Sequence, residues 1–569
     1  MKLRTSFFNP TVFFKDITRY FPVWGLYLIG GGLTLMTSML ALLTLDDTFA
    51  EGVLGNMQAM GFINMIFALI SAQLLFGDLF KARHCNMLHA MPLRREAWFT
   101  THFLAGLLFS FVPNFLLSLP ITLFCGRHWY VGLVWLVSAD LQYLFFFSTA
   151  VFAVMCAGKK FASTAVYLLL HFLSYIIYWF LFVFYTPLLP GIVLNGKLFA
   201  LFCPVIRLCN TPVLDYTSDY VSVNPNYPYG EHHTVVTING LGPNFWYLLV
   251  LGALGLVFAV VSLLMYRKRR LESAGDFVSA RPLAPVFSLI FTLSVGAICH
   301  MIFGGIVLFL PIGLAVGYFA GQMLLQRKVN VFQLRRFASF GIITVAVLLS
   351  MAVTWLDPLG ITRYVPKAQK IQSVTVSNSY IPGFELMFSN PDYMYGMPDK
   401  YTTDDPEQIE KIVDVHKSVV KQTTSPIKKL LSPFFFQDTV SLWVTYTMEN
   451  GYEIQRRYEV PVDTDAGNAV TDFYSSPEFV LGYDDWDTYL KSVSYVEIGE
   501  YSLYGTQKKE LLLAMKADCE MGRMGSYYNS SYKGDVYIRM DEDWKYITVN
   551  DDCLYTVSWL NKHCPGWDY

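Results

Sequence analysis

Residues 80–97 read Phe-Lys-Ala-Arg-His-Cys-Asn-Met-Leu-His-Ala-Met-Pro-Leu-Arg-Arg-Glu-Ala, and a long apolar run lies on either side, Met57–Phe76 before and Phe103–Phe124 after. Each run matches the ~20 residues that an α-helix needs to cross a hydrocarbon core. The chain therefore alternates membrane-length helices with short polar connections. Lys81, Arg83, Arg94 and Arg95 place this connection in the cytoplasm by the positive-inside rule. Leu88 and Met91 form a small apolar ridge, with Met87 beside it and charge around it. A short helix that docks on another protein from the membrane surface needs that pattern; an ordinary charged cytoplasmic loop can carry the same residues.

Composition agrees with a membrane protein. Of 569 residues, 54% are hydrophobic and only 15% charged, where a soluble domain averages ~25% charged. The charge is unevenly spread. Residues 1–356 hold 22 Lys/Arg and 12 Asp/Glu, a balance of +10, whereas residues 357–569 hold 20 and 32, a balance of −12. The basic excess sits in loops between apolar runs, which suits anionic lipid and not a nucleic-acid surface. The nine cysteines are scattered without a CxxC, and three in the tail cannot all pair internally, so a disulfide framework is not expected.

Nine apolar stretches fall near the spanning length: Phe21–Leu43, Met57–Phe76, Phe103–Phe124, Val131–Ala157, Phe161–Tyr185, Phe245–Met265, Val286–Phe303, Val307–Leu325 and Phe337–Leu356. Thr344, Ser350 and Thr354 dilute the last of them. Connections on one side carry nineteen Lys/Arg and those on the other three, namely Arg127, Lys197 and Arg207. The amino terminus is thus expected inside, and an odd number of spans puts residues 357–569 outside. Residues 1–20 carry a rough stripe of Phe7, Phe8, Val12, Phe13, Phe14, Ile17 and Tyr20 among Lys2, Arg4, Lys15 and Arg19. Charges interrupt them too often for a signal peptide, and an interfacial amphipathic helix is expected. Leu188–Phe202 is apolar but too short to span, which predicts a re-entrant or interfacial hairpin, and the polar Thr211–Pro243 is expected to cover the outer mouth.

The tail reads as an α+β domain. Asp405-Pro406-Glu407-Gln408 opens a helix with an Asp cap, Pro at the first helical position and a capping-box Gln. Ile409, Ile412, Val413, His416, Val419 and Val420 form its buried face, with His416 expected at the core edge. Thr439–Met448 and Tyr452–Val460 alternate around Asn450-Gly451, a hairpin signal. Val493–Ile498 and Val536–Met540 read as strands, Gln507–Glu520 and Asp551–Lys562 as helices.

Catalytic motifs are missing. There is no Gly-x4-Gly-Lys-Ser/Thr phosphate loop, no Gly-x-Ser-x-Gly and no HExxH, so the chain is read as not itself an enzyme. Asp541-Glu542-Asp543 lacks the spaced ligands and glycine of a calcium loop, and Glu231-His232-His233 is a weak metal signal. Polar residues inside spans say more. Asp140 and Gln142 in the fourth span and His171 in the fifth fall near the bilayer midplane, where an ionisable group is costly unless it pairs or faces water. Counting residues predicts that Asp140 or Gln142 pairs with His171, as a clamp between helices in preference to a substrate contact. Gly30-Gly31-Gly32 and Gly317-x3-Gly321 permit close helix contact.

Over residues 1–285 the chain resembles bacterial type-2 ABC export permeases. The resemblance rests on the order of its parts: an amphipathic leading helix, the basic loop His89-Ala90-Met91-Pro92-Leu93-Arg94-Arg95-Glu96, six spans, an apolar outer hairpin, and the exit Tyr266-Arg267-Lys268-Arg269-Arg270-Leu271-Glu272-Ser273-Ala274-Gly275. It implies a six-span permease domain over residues 21–285, to which three further spans (286–356) and an extracytoplasmic α+β domain (357–569) are added. It further implies a multi-pass protein of the bacterial cell membrane, paired with a like or unlike second permease subunit. Two ABC ATPase subunits would bind ATP and Mg, and the coupling loop with Arg83, Met87, Leu88, Met91, Pro92, Arg94, Arg95 and Glu96 would transmit their closure. Two other readings stand beside it. An ion-coupled transporter is disfavoured because no paired halves with matching broken helices appear. A membrane-anchored sensor or assembly protein, whose ectodomain binds a ligand or partner, needs fewer spans.

The charge split predicts that a cysteine placed at Ser475 reacts with an impermeant thiol reagent on intact cells, whereas one at Ser273 does not. The opposite pattern would rule out the nine-span arrangement.

Overall fold

A computed structural model describes residues 7–39, 47–81, 83–85, 87, 94–194, 196–222, 232–269, 283–303, 307–326, 328–377, 400–423, 439–483, 485–499, 501–524, 532–540 and 544–567. The chain forms two compact units, Met1–Phe180 with Asn195–Cys299 and Leu310–Phe340, and Leu181–Leu194 with His300–Phe309 and Gly341–Tyr569.

The first part of the chain is helical: α1 (Pro10–Arg19), α2 (Phe21–Met39), α3 (Thr48–Asn56), α4 (Met60–Leu75), α5 (Arg95–Phe124), α6 (Val131–Cys156) and α7 (Lys160–Tyr185). A two-residue strand β1 (Gly191–Ile192), short helices α8 (Lys197–Leu201) and α9 (Pro204–Asn210), and the hairpin β2 (Leu214–Ser222) and β3 (His232–Leu241) follow. Then come α10 (Pro243–Lys268), α11 (Leu283–Ile302), α12 (Leu310–Gln326) and α13 (Leu334–Leu356). Each of the nine apolar runs carries an α-helix. Six of these helices, α5, α6, α7, α10, α11 and α13, are long and apolar enough to cross a membrane; α3 and α4 make a seventh if the 47° break between them is a bend in one span. The apolar helices Phe21–Met36 and Leu310–Gln326 are shorter.

Within the first unit α6 is the central helix. Of its apolar window 78% is buried, against 33% for α5 and 28% for α10. Trp135, Tyr143, Phe146 and Phe147 are fully buried on it. The neighbours approach closely where side chains are missing. A Cβ on Gly106 of α5 would lie 2.1 Å from the Phe147 ring, and one on Gly255 of α10 would lie 3.0 Å from the Phe145 Cα. Gly317 packs likewise on Thr292, as the small-residue spacing predicts.

Within Thr211–Pro243, expected as a polar cover, Leu214–Ser222 and His232–Leu241 pair as antiparallel strands. Asp47 accepts from the Val236 amide at 3.1 Å and is paired with Arg127, and Arg127 also donates to the Val236 carbonyl at 3.0 Å. These contacts pin β3 to the turn between α5 and α6. Leu188–Phe202, expected as a re-entrant or interfacial hairpin, holds two short elements. Gly191–Ile192 becomes a strand, and α8 follows it.

The remainder of the chain holds two antiparallel sheets, each with its own core. Strands β4 (Ile371–Ser377), β5 (Lys400–Thr403), β6 (Thr439–Met448) and β7 (Glu453–Pro461) form one with β1, in the order β1-β7-β6-β4-β5. Helices α14 (Pro406–Thr423) and α15 (Asp465–Tyr474) cover it. Strands β8 (Val493–Ile498), β9 (Tyr501–Leu503), β10 (Tyr532–Met540) and β11 (Trp544–Asn550) form the other, in the order β11-β10-β8-β9. It packs with α16 (Trp486–Ser492), α17 (Gly505–Glu520) and α18 (Leu554–His563). The β6–β7 hairpin turns at Asn450-Gly451 as predicted, with Gly451 at φ +77°. Asp541-Glu542-Asp543 and the side chains of Glu231, His232 and His233 lie outside the described residues. Ser475 is only 5% exposed, so burial would block labelling there. Asn450 is exposed in its turn and is the position that reports the side.

His416 lies in the core, not at its edge. It is fully buried, with Nδ1 2.8 Å from the Tyr446 hydroxyl and Nε2 2.8 Å from the Tyr458 hydroxyl. Burial, helped by the Arg456 charge, pulls its pKa down to about 3 from 6.5. Above pH 6.5 it is neutral folded or unfolded. Below that, the unfolded chain takes up a proton that the folded chain refuses, so stability falls until the pH reaches the folded value. We expect protection of the β6 and β7 amides in hydrogen exchange to drop by up to ~1.4 kcal/mol per pH unit between pH 6.5 and about 3, and His416→Gln to flatten that slope.

Candidate functional site

The basic loop meets the bundle at Arg94. Its backbone is extended and the helix α5 begins at Arg95, eight residues before the apolar run. Glu96 stands in the first turn, where a carboxylate favours the positive end of the helix dipole. Arg95 Nη1 donates to the Arg267 carbonyl at 3.0 Å and to the Arg269 carbonyl at 3.3 Å. These are among the last carbonyls of α10, which lack intrahelical donors and need an outside partner. Glu96 Oε1 is 3.0 Å from Arg267 Nε. Both side chains are partly exposed, so the ion pair contributes only ~0–1 kcal/mol and acts mainly on geometry.

Arg269 binds more deeply. One nitrogen donates to the carbonyls of Val154 at 2.9 Å and Met155 at 3.3 Å, the other to Ala157 at 2.9 Å and Leu79 at 3.5 Å. A single guanidinium thus closes the carboxyl end of α6 and the turn Gly77–Phe80. Burial lowers its pKa from the usual arginine range. Beside it, Tyr266 stacks on Trp98, ring centroids 5.3 Å apart. The sequence marks Arg269 only as one member of a basic run; its carbonyl targets are distant in the chain and invisible there.

Of the predicted coupling residues, Arg94, Arg95 and Glu96 come together with Arg267 at this end. Arg83 and Met87 are exposed. Leu88, Met91 and Pro92 lie outside the described residues.

The intramembrane residues separate into two groups. Asp140 Oδ1 accepts from Ser110 at 3.0 Å and from the Asn114 amide at 2.9 Å. The Tyr27 hydroxyl is shared between Asn64 at 2.5 Å and Asn114 at 3.1 Å. Asn64 in turn donates to Gln142 Oε1 at 3.1 Å and to the Ala139 carbonyl at 3.2 Å. One polar network therefore crosses α2, α4, α5 and α6. His171 is not in it. Its Nε2 is 3.0 Å from Thr149 Oγ1, and aromatic rings of Phe145, Phe146 and Tyr167 surround it. The expected Asp140 or Gln142 pairing with His171 does not form. Residue counting fixes depth along a helix but not the face, and Asp140 faces α5 while His171 meets α6 about two turns further on. Among the described residues no group of three or more His, Cys, Asp or Glu side chains is placed to hold a metal. No protein-family model, no curated protein and no solved structure matches this chain.

A double-mutant cycle separates the two groups. Asn114→Leu leaves Asp140 and Tyr27 short of partners and should cost ~1–3 kcal/mol in unfolding of the detergent-solubilised protein. His171→Leu should add to it within ~0.5 kcal/mol, whereas Asn64→Leu, which shares Tyr27, should not.

Proposed function

We propose that this chain is the membrane-spanning permease subunit of an ABC transporter of the type-2 export class. The observation that supports it most is the joint between the basic loop and the helices. Arg95 and Glu96 are bonded to the end of α10, and Arg269 to the end of α6 and to the turn after α4. A displacement of Arg95 and Glu96 is therefore delivered to the ends of α5, α10 and α6 together. That is the mechanical requirement for turning an event on a cytoplasmic partner into a tilt of spans.

In this reading α2, the α3–α4 pair, α5, α6, α7 and α10 are the six permease spans. Helices α11, α12 and α13 add three, nine in all. The amino terminus is cytoplasmic, and the region after α13 is extracytoplasmic, in a bacterial cell membrane. Two permease subunits, like or unlike, form the export pathway. ATP and Mg bind the separate ATPase subunits. The Tyr27–Asn64–Asn114–Asp140–Gln142 network braces the spans and keeps their relative rotation defined while they tilt. Leu88, Met91 and Pro92 enter a groove on the ATPase, with Arg94, Arg95 and Glu96 at its rim.

Apolar anchors at the centre of an interface carry most of its energy, while rim charges set steering and register. Leu88→Asp with Met91→Asp buries two carboxylates without partners, a cost of several kcal/mol that defeats an ordinary docking contact. The double variant should insert normally and lose ATP-driven transport, and crosslinking from position 88 to the copurified ATPase should disappear. Arg94→Ala should be milder and salt-sensitive. Normal transport by the double variant with its ATPase still attached would remove this reading.

A further inference from the structure

A cavity of about 490 Å³ opens at the amino end of α5, lined by Phe7, Arg94, Arg95, Glu96 and Arg267. Three guanidinium groups face one carboxylate, a formal excess of 3 − 1 = +2. Glu96 is held by Arg267 at 3.0 Å. Arg95 uses Nη1 on carbonyls of α10. A guanidinium has five N–H donors, so each of these arginines keeps others to offer. Arg94 lies with its guanidinium carbon 6.0 Å from the centre of the Phe7 ring and has no ion pair among the described residues. The first α-helical bond of α5 runs from the Trp98 amide to the Arg94 carbonyl. The amides of Arg95, Glu96 and Ala97 therefore precede the helix's own acceptors, which adds the positive end of a 30-residue helix to the cavity.

The position of the cavity narrows the ligand. Arg95 opens α5 and Lys268 closes α10, both long enough to cross a membrane, so the cavity lies at a membrane–water boundary. The Phe7 side of the cavity belongs to the segment leading into α1, which is fastened alongside α5. Thr100 Oγ1 donates to the Phe7 carbonyl, the Asn9 amide donates to Thr101 Oγ1 at 3.0 Å, and Asp16 meets His102 at 2.5 Å. Phe7, which lines the cavity beside the arginines, is 60% exposed, and Phe14 of α1 is 65% exposed. Cation-rich hollows between spans, at headgroup depth, are suited to anionic lipid headgroups.

We infer that this cavity binds the phosphate of an anionic phospholipid. The phosphate lies among Arg94, Arg95 and Arg267, with the acyl chains along Phe7. Arginine supplies the forked donors that match phosphate oxygens. Glu96 keeps Arg267 oriented without cancelling the excess charge. The inference needs the membrane reading of α5 and α10 but no ATPase.

The test uses the full chain in detergent with no ATPase present. Phosphatidylglycerol, phosphatidylcholine and inorganic phosphate serve as probes, and bound lipid is counted by native mass spectrometry and by thermal shift. The wild-type protein should retain phosphatidylglycerol at least ~10-fold better than phosphatidylcholine, a difference of ~1.4 kcal/mol. Arg94→Gln, which removes a side chain that among the described residues meets the Phe7 ring and no ion-pair partner, should erase that preference without changing the elution profile. Lys328→Gln, at an exposed cation elsewhere, should leave it intact. Phe7→Ser should weaken lipid retention and leave any inorganic phosphate effect unchanged. Equal retention of the two lipids, or a preference that survives Arg94→Gln, overturns the inference. So does full displacement of phosphatidylglycerol by millimolar inorganic phosphate together with indifference to Phe7→Ser, which would make this a free-phosphate site. Because no ATPase is involved, failure here leaves the coupling reading standing, and the reverse holds as well.

Discussion

Helix ends in an apolar bundle leave carbonyls without donors, and Arg269 answers that constraint for two of them at once. Its guanidinium reaches Val154, Met155, Ala157 and Leu79, while Arg95 reaches the end of α10 that carries Arg269 itself. Charge-assisted hydrogen bonds to backbone oxygens contribute ~1.5–3 kcal/mol each where water is scarce. The neighbouring Glu96–Arg267 pair, half in solvent, contributes far less. The strong and the weak contacts therefore differ in role. Arg269 and Arg95 lock three helix ends together, and Glu96 selects an orientation for Arg267 at the rim.

Deeper in the bundle the same physics is met by side chains. Asn64 and Asn114 each carry a donor and an acceptor, and they join Tyr27, Asp140 and Gln142 into a single network over four helices. Apolar packing alone tolerates sliding and rotation between helices, because one ridge of Leu and Phe resembles the next. Directional bonds between fixed depths do not. Gly106 lets α5 approach α6 closely, and these are the two helices that carry Asn114 and Asp140. His171 is handled separately, through Thr149, and each group contributes its own interhelical contact.

The region after α13 solves a different problem, that of two modest sheets, each needing a covered face. In the first, His416 of α14 is gripped by the hydroxyls of Tyr446 and Tyr458, from neighbouring strands. Gly191, at φ +81°, lies where any Cβ would strike the Tyr458 ring, and it lets β1 pair with β7. In the second, Asp518 is fully buried and accepts from the amides of Tyr555 and Thr556, which closes the first turn of α18 from another helix.

Periodicity and run length in the sequence determined the helices of the bundle, because a spanning helix must satisfy its backbone internally and so announces itself as an unbroken apolar stretch. The start of α14 at Pro406 and the Asn450-Gly451 turn were equally legible, since their signals are local. Length was less decisive at the ends: Met57–Phe76 covers only the second helix of a bent pair, and α5 starts eight residues before its apolar run. Only the tertiary structure decided which polar residues meet. Asp140 turns to Asn114 of α5, whereas His171 meets Thr149 of α6 about two turns away, and facing depends on helix rotation, which sequence spacing does not encode. The same holds for Arg269 and for Arg94 beside Phe7. Their partners are backbone oxygens and a ring brought close by packing, and neither leaves a mark in the order of residues.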